Sequence, residues 1–154
     1  MKRDLGLLLL RLGAGVTLMA HGYPKLFGGP EKEPPQTVAG ALGPNFAPAV
    51  KQGGPESFAQ ALAQMGIPEP QVAAVLAGLA EFAGGLGLAL GLGTRLAGLV
   101  ASVNMAVAAR KVHWSQGFYG QGGYEFPLLL GVVGAALALT GPGAISLDRL
   151  LGRD

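Results

Sequence analysis

The chain has 154 residues, of which 50 % are apolar and 13 % charged, against about 25 % charged in ordinary soluble domains. A soluble domain of this size needs more polar surface than that, and a net charge of +2 with no Lys/Arg run interleaved with aromatics excludes a nucleic-acid face. The absence of cysteine excludes disulfides, thiolate metal sites and thiol redox chemistry.

Four apolar segments follow one another along the chain. The first runs from about Leu5 to Phe27 and carries Arg11, His21 and Lys25. Lys2 and Arg3 before Leu5–Leu10 would suit a signal peptide. Arg11 interrupts that core, however, and no small-x-small cleavage site follows, so the segment reads as a retained first helix. Gly28 to Gln71 is a long connection. Gly-Gly-Pro-Glu-Lys-Glu-Pro-Pro near its start argues against a helix there, whereas Pro55 suits a first helical turn and Phe58, Leu62 and Met65 recur at helical spacing. The second apolar segment, Val72 to Leu92, is broken only by Glu81 and has the length of a membrane span. Gly91-Leu-Gly93-Thr94-Arg95 makes a tight turn into the third, Leu96 to Ala109. The fourth is Phe126 to Leu139. These last two are short for spans, but flanking arginines and lysines can snorkel and lengthen them. Trp114, Phe118, Tyr119 and Tyr124 between them suit an interfacial aromatic belt.

The predicted fold is therefore all-α: a polytopic membrane four-helix bundle with a short amphipathic helix in the first connection. It forms a single domain, 1–154, with helices at about 5–27, 72–92, 95–112 and 124–141 and a long loop at 28–71. A soluble all-α bundle is the alternative. Gly87-x-x-x-Gly91, Gly131 and Gly134 suit close helix packing in lipid. Basic residues divide equally between the two sides, but those of the far side lie partly on the long loop. The charge pattern thus tilts the termini toward the cytoplasm.

Ionisable residues at membrane depth face a bundle interior, pair, or serve function. At about 100° per residue, Arg11, His21 and Lys25 fall within roughly 80° of one another, and Arg11 and His21 differ in depth by about 15 Å. Glu81 is the expected partner of Arg11 in a structural ion pair, and breaking such a pair costs about 3–5 kcal/mol. Alternating helix directions would collect His21, Lys25, Lys111, His113 and Glu125 at one end of the bundle, with Asn104 and Glu81 below. His21, Lys25, Glu81, Asn104, Lys111 and Glu125 are therefore the ligand-binding candidates. Each also has a plain structural use: a lone His makes a hydrogen bond, Lys111 snorkels, and Glu125 starts a helix. No His-x-x-x-His or comparable spacing suggests a metal site, and no nucleotide or nucleophile-elbow motif occurs.

Arg11-Leu-Gly-Ala-Gly-Val-Thr-Leu-Met-Ala-His21-Gly22-Tyr-Pro-Lys25-Leu26-Phe27 resembles the first helix of the DoxX family. Met65-Gly66-Ile67-Pro68 is similar to that family's lead-in to its second helix. Glu81-Phe-Ala-Gly84-Gly85 through Arg95 is similar to that helix and its turn, and Gly141-Pro142-Gly143-Ala144-Ile145-Ser146-Leu147-Asp148 to its C-terminal ending. The stretch 28–54 is longer than the family pattern. The resemblance implies a small four-helix protein of the bacterial or archaeal cytoplasmic membrane. Some relatives serve a thiosulfate:quinone oxidoreductase, and others oxidoreductase or oxidative-stress complexes.

The implied function is an accessory, quinone-interacting subunit of a membrane redox system, with no covalent cofactor and a quinone as ligand. Its partners would be the lipid bilayer and a redox subunit, and a homo-oligomer is open. A non-enzymatic membrane scaffold that docks a partner through the long loop is the alternative. A small-solute transporter would need the broken helices and inverted repeats that this sequence does not display.

Overall fold

The computed structural model describes residues 1–153, and every regular element among them is helical. The four apolar segments form α1 (Lys2–Phe27), α5 (Pro70–Leu90), α6 (Thr94–Ala108) and α7 (Glu125–Thr140). Three short helices lie between the first two: α2 (Gln36–Leu42), α3 (Phe46–Gln52) and α4 (Pro55–Gln64). A last short helix is α8 (Leu147–Leu150). α4 begins at Pro55, whose fixed φ suits a first turn.

The helices α2 and α3 fall where the sequence predicts only loop. Both are seven residues long and end against a glycine, Gly43 and Gly53. Two turns cannot sustain themselves in isolation, and α3 is held by its packing. α3 buries Phe46 and Val50, whereas α2 buries none of its residues. α6 does not continue as an α-helix to residue 112. It passes at Ala109–His113 into a π-helical turn and at Trp114–Gln116 into a 3-10 turn.

The chain divides into two compact units, 1–19 with 83–154, and 20–82. In the first, Leu7, Ala14 and Leu18 of α1, Leu88 of α5, Ala101 and Met105 of α6, and Leu130 and Leu137 of α7 share one core. α6 and α7 meet backbone to backbone: a Cβ on Gly98 would stand 2.5 Å from the Gly134 carbonyl oxygen, and one on Gly134 would stand 2.8 Å from that of Gly98. Such approach is how helices gain dispersion contact where the surroundings are as apolar as the interface.

In the second unit, Ala59 and Leu62 of α4 pack on Ala74 of α5, flanked by Phe58, Ile67 and Ala73. The end of α1 is clasped by the connection that leaves it. Pro24 O accepts from Gly28 N (3.1 Å) and Gly54 N (2.8 Å), and Gly29 N donates to Val50 O (2.8 Å). These bonds satisfy carbonyls that a helix end would otherwise leave open.

α1 and α5 are long and apolar enough to cross a membrane, and only 33 % and 28 % of their apolar windows are buried. A core helix of a soluble protein would be buried over most of its surface. Here Leu9, Leu76, Leu96, Leu129 and Leu139 all point outward.

Candidate functional site

The second unit holds a cavity of ≈ 630 Å³ against the last turns of α1. His21, Pro24 and Lys25 come from α1, Phe46 and Ala49 from α3, Phe58 and Ala61 from α4, and Asn45 and Ser57 add polar edges. Helical spacing explains the α1 contribution, because residues four apart share a face. Both α3 and α4 reach the cavity because the backbone bonds around Pro24 draw the connection back onto the end of α1.

Lys25 anchors the cavity wall. Its Nζ donates to both carboxylate oxygens of Glu81 at 2.6 Å, and it lies 4.8 Å from the centre of the Phe58 ring. The Glu81 side chain is 4 % exposed and that of Lys25 26 %. A buried carboxylate thus meets a cation that keeps one side toward the cavity. Gly22 makes the approach possible: a Cβ there would fall 2.5 Å from Phe82 N and 2.9 Å from the Glu81 Cβ. His21 sits one turn earlier on the same wall, exposed.

A second space in this unit, ≈ 680 Å³, is bordered by Tyr23, Phe27 and Phe82. Tyr23 packs its ring on Phe27, Phe46 and Phe82 with centroids 5.2, 5.8 and 6.1 Å apart. The charge on its wall, Lys32, is exposed, whereas Lys25 is held on a buried carboxylate, so the cavity beside Lys25 is the stronger candidate.

The cation on Glu81 is Lys25, not the expected Arg11. Helix geometry supplies the reason: Arg11 lies about 21 Å before Lys25 along α1. Arg11 is wholly buried in the first unit, where its Nη2 donates to Ile145 O, while Nε and Nη1 have no hydrogen-bond partner. Asp148 is the carboxylate that acts on it electrostatically. Asp148 also accepts from Gly93 N (2.7 Å) and Thr94 N (2.9 Å), which caps α6, and its own N–H donates to Gly91 O (2.8 Å). Burial raises the Asp148 carboxyl, but the backbone N–H groups of Thr94 and Gly93 outweigh it and hold the pKa below the ordinary 3.8. Gly91, at φ +68°, adopts the left-handed backbone this turn needs, and a Cβ there would strike Arg11 Nη1. The cluster is buried: Arg11 is 0 % and Asp148 4 % exposed. Asp148 closes the C-terminal motif Gly141–Asp148, and the motif itself does not disclose this role. Its signal was an isolated carboxylate after Gly-Pro-Gly in an apolar tail.

The remaining candidates belong to the first unit. Asn104 is half-buried on α6, and Lys111 is exposed on the π-helical turn. Glu125 opens α7 and accepts from Gly120 N at 3.2 Å. That bond helps close the 117–125 loop, together with His113 Nδ1–H donating to Gly122 O (2.8 Å) and Trp114 stacked on Tyr124 at 4.8 Å. Arg110 lies over Trp114 at 5.2 Å. Lys25 and Glu81 meet at the cavity beside His21, whereas Asn104, Lys111 and Glu125 belong to the other unit and do not border it.

The model of the DoxX family matches residues 6–114. No curated protein and no solved structure matches the chain. With its two long apolar helices, the family match makes this a membrane protein.

Proposed function

Because the chain belongs to the DoxX family, we propose that it is an accessory subunit of a membrane redox system. In this reading it binds a quinone, or a similar small apolar redox partner, beside Lys25 and Glu81. The whole chain acts as one membrane domain with α1, α5, α6 and α7 as four spans and cytoplasmic termini, in the cytoplasmic membrane of a bacterium or archaeon.

The observation that carries the reading is the ≈ 630 Å³ cavity, lined by apolar and aromatic side chains around one ammonium held on a buried carboxylate. Small-molecule sites commonly have about 300–1,000 Å³ and a few polar groups among apolar walls. Phe46 and Phe58 would grip a flat ring. The His21 imidazole would hydrogen-bond its oxygen and hand on a proton, since imidazole exchanges protons near neutral pH. Lys25 would stabilise negative charge gained by that oxygen, and Glu81 would keep the ammonium in place. A bound quinone supplies the electron chemistry, with the electrons coming from a partner subunit.

In reconstituted membranes, His21→Ala should weaken quinone binding about tenfold, which corresponds to about 1.4 kcal/mol. Unchanged binding together with unchanged partner activity would defeat the proposal.

One observation favours a scaffold as second reading: α2 buries none of its residues and leaves Val38 exposed. Under that reading Val38→Asp abolishes co-purification of the partner. Under the first reading it leaves quinone binding intact.

A further inference from the structure

The first unit contains a basic pocket of ≈ 360 Å³ that the proposed redox role does not use. It is built where three apolar helices end. Arg3 and Asp4 belong to the first turn of α1, Arg95 to the first turn of α6, and Thr140 ends α7. Pro142–Ala144 form the next wall, and Arg149 of α8 the last. Three arginines and one aspartate are the charged residues that line this space.

The pocket is organised by backbone bonds. Arg95 Nη1 donates to Ala138 O (2.9 Å) and Leu139 O (2.8 Å), the open carbonyls at the end of α7, so its side chain is held in one place. Asp4 Oδ1 accepts from Ala144 N at 3.0 Å, which ties the start of α1 to the Gly-Pro-Gly link. The carboxylate is thereby engaged in positioning the wall.

Planar guanidinium groups pair with the oxygens of phosphate or carboxylate groups, so three arginines around one space select an anion over a neutral group. Basic clusters at the ends of membrane helices attract anionic lipid headgroups. The apolar neighbours of these residues in sequence extend outward: Leu139 is 80 % exposed, Leu150 81 % and Leu151 58 %. A basic pocket whose lining residues adjoin exposed leucines in sequence matches an amphiphile better than a free ion.

We propose that the pocket lined by Arg3, Arg95 and Arg149 binds the phosphate of an anionic phospholipid headgroup, with the acyl chains lying against the exposed leucines that adjoin it in sequence. Inorganic phosphate shares the recognised chemistry, so the test must separate the two sources.

The full chain, purified in a neutral detergent, is titrated with phosphatidylglycerol, phosphatidylcholine or inorganic phosphate while its thermal midpoint is followed. Phosphatidylglycerol should raise the midpoint saturably, and the other two should not. The double variant Arg3→Gln/Arg149→Gln should bind phosphatidylglycerol about thirtyfold more weakly. Arg3→Gln alone, a change at an exposed helix end, should cost about fivefold and keep the wild-type midpoint without lipid, which guards against a folding defect in the double variant. A phosphatidylglycerol response that both variants retain overturns the site. An equal response to phosphatidylcholine overturns the preference for an anionic headgroup. A response to inorganic phosphate that disappears in the variants overturns the lipid assignment.

Discussion

Arg11 and Glu81 are both charged, both buried, and both set in apolar helices, yet their surroundings differ in kind. Arg11 is 0 % exposed and closed in by the Ile145 carbonyl, the Asp148 carboxylate and the backbone of Gly91. Glu81 is 3 % exposed, but its cation, Lys25, borders an open cavity with His21. A buried charge enclosed by backbone and a fixed carboxylate, with no cavity beside it, fixes a fold. A buried charge whose partner reaches a cavity can act on a ligand. Burial alone does not distinguish the two cases; the space around the partner does.

The comparison yields measurable differences. The largest is expected for Asp148→Ala, which removes two charge-assisted bonds to Gly93 N and Thr94 N and should lower stability by about 3–5 kcal/mol. Chemical unfolding in detergent measures this, and a loss below about 1 kcal/mol would show that the α6 cap is dispensable. Gly91→Ala comes next. It places a methyl group on Arg11 Nη1 at φ +68° and should cost about 3 kcal/mol, read in the same assay, with quinone affinity untouched.

Lys25→Met should cost a comparable amount, about 3 kcal/mol, because it takes the cation from a carboxylate that is 4 % exposed. Its distinguishing effect should be on binding. Acid provides a further test. The Asp148 contribution is fully present above the ordinary carboxyl pKa of 3.8 and is lost as pH falls through the depressed folded value. The stability gap between wild type and Asp148→Asn should therefore close in acid and be constant from pH 5 to 7. The smallest effect is expected at Glu33–Lys51, where both side chains are largely exposed. Glu33→Gln should leave the unfolding midpoint unchanged.

The helical class was legible because long apolar runs with few charges leave little choice of structure. Pro55 and the Phe58–Leu62–Met65 spacing located α4 within an otherwise irregular stretch. α2 and α3 were hidden, since seven residues among prolines and glycines carry no readable period and depend on packing that sequence does not display. At the site, helical periodicity put His21 and Lys25 on one face of α1. It could not set the register of α1 against α5, so Glu81 was matched to Arg11 instead of Lys25. Asp148 was missed because its partners are backbone amides that lie more than fifty positions away in sequence.

The central claim is that Lys25, held by Glu81, borders a ligand site while Arg11 and Asp148 hold the fold. The most direct test measures, on the same preparations, the affinity for a short-chain quinone and the thermal midpoint of wild type, Lys25→Met and Gly91→Ala. The account predicts that both variants lower the midpoint, but that only Lys25→Met loses affinity, by about tenfold or more, while Gly91→Ala keeps it. Equal affinities for wild type and Lys25→Met, or a quinone affinity that follows the midpoint across all three, would contradict it.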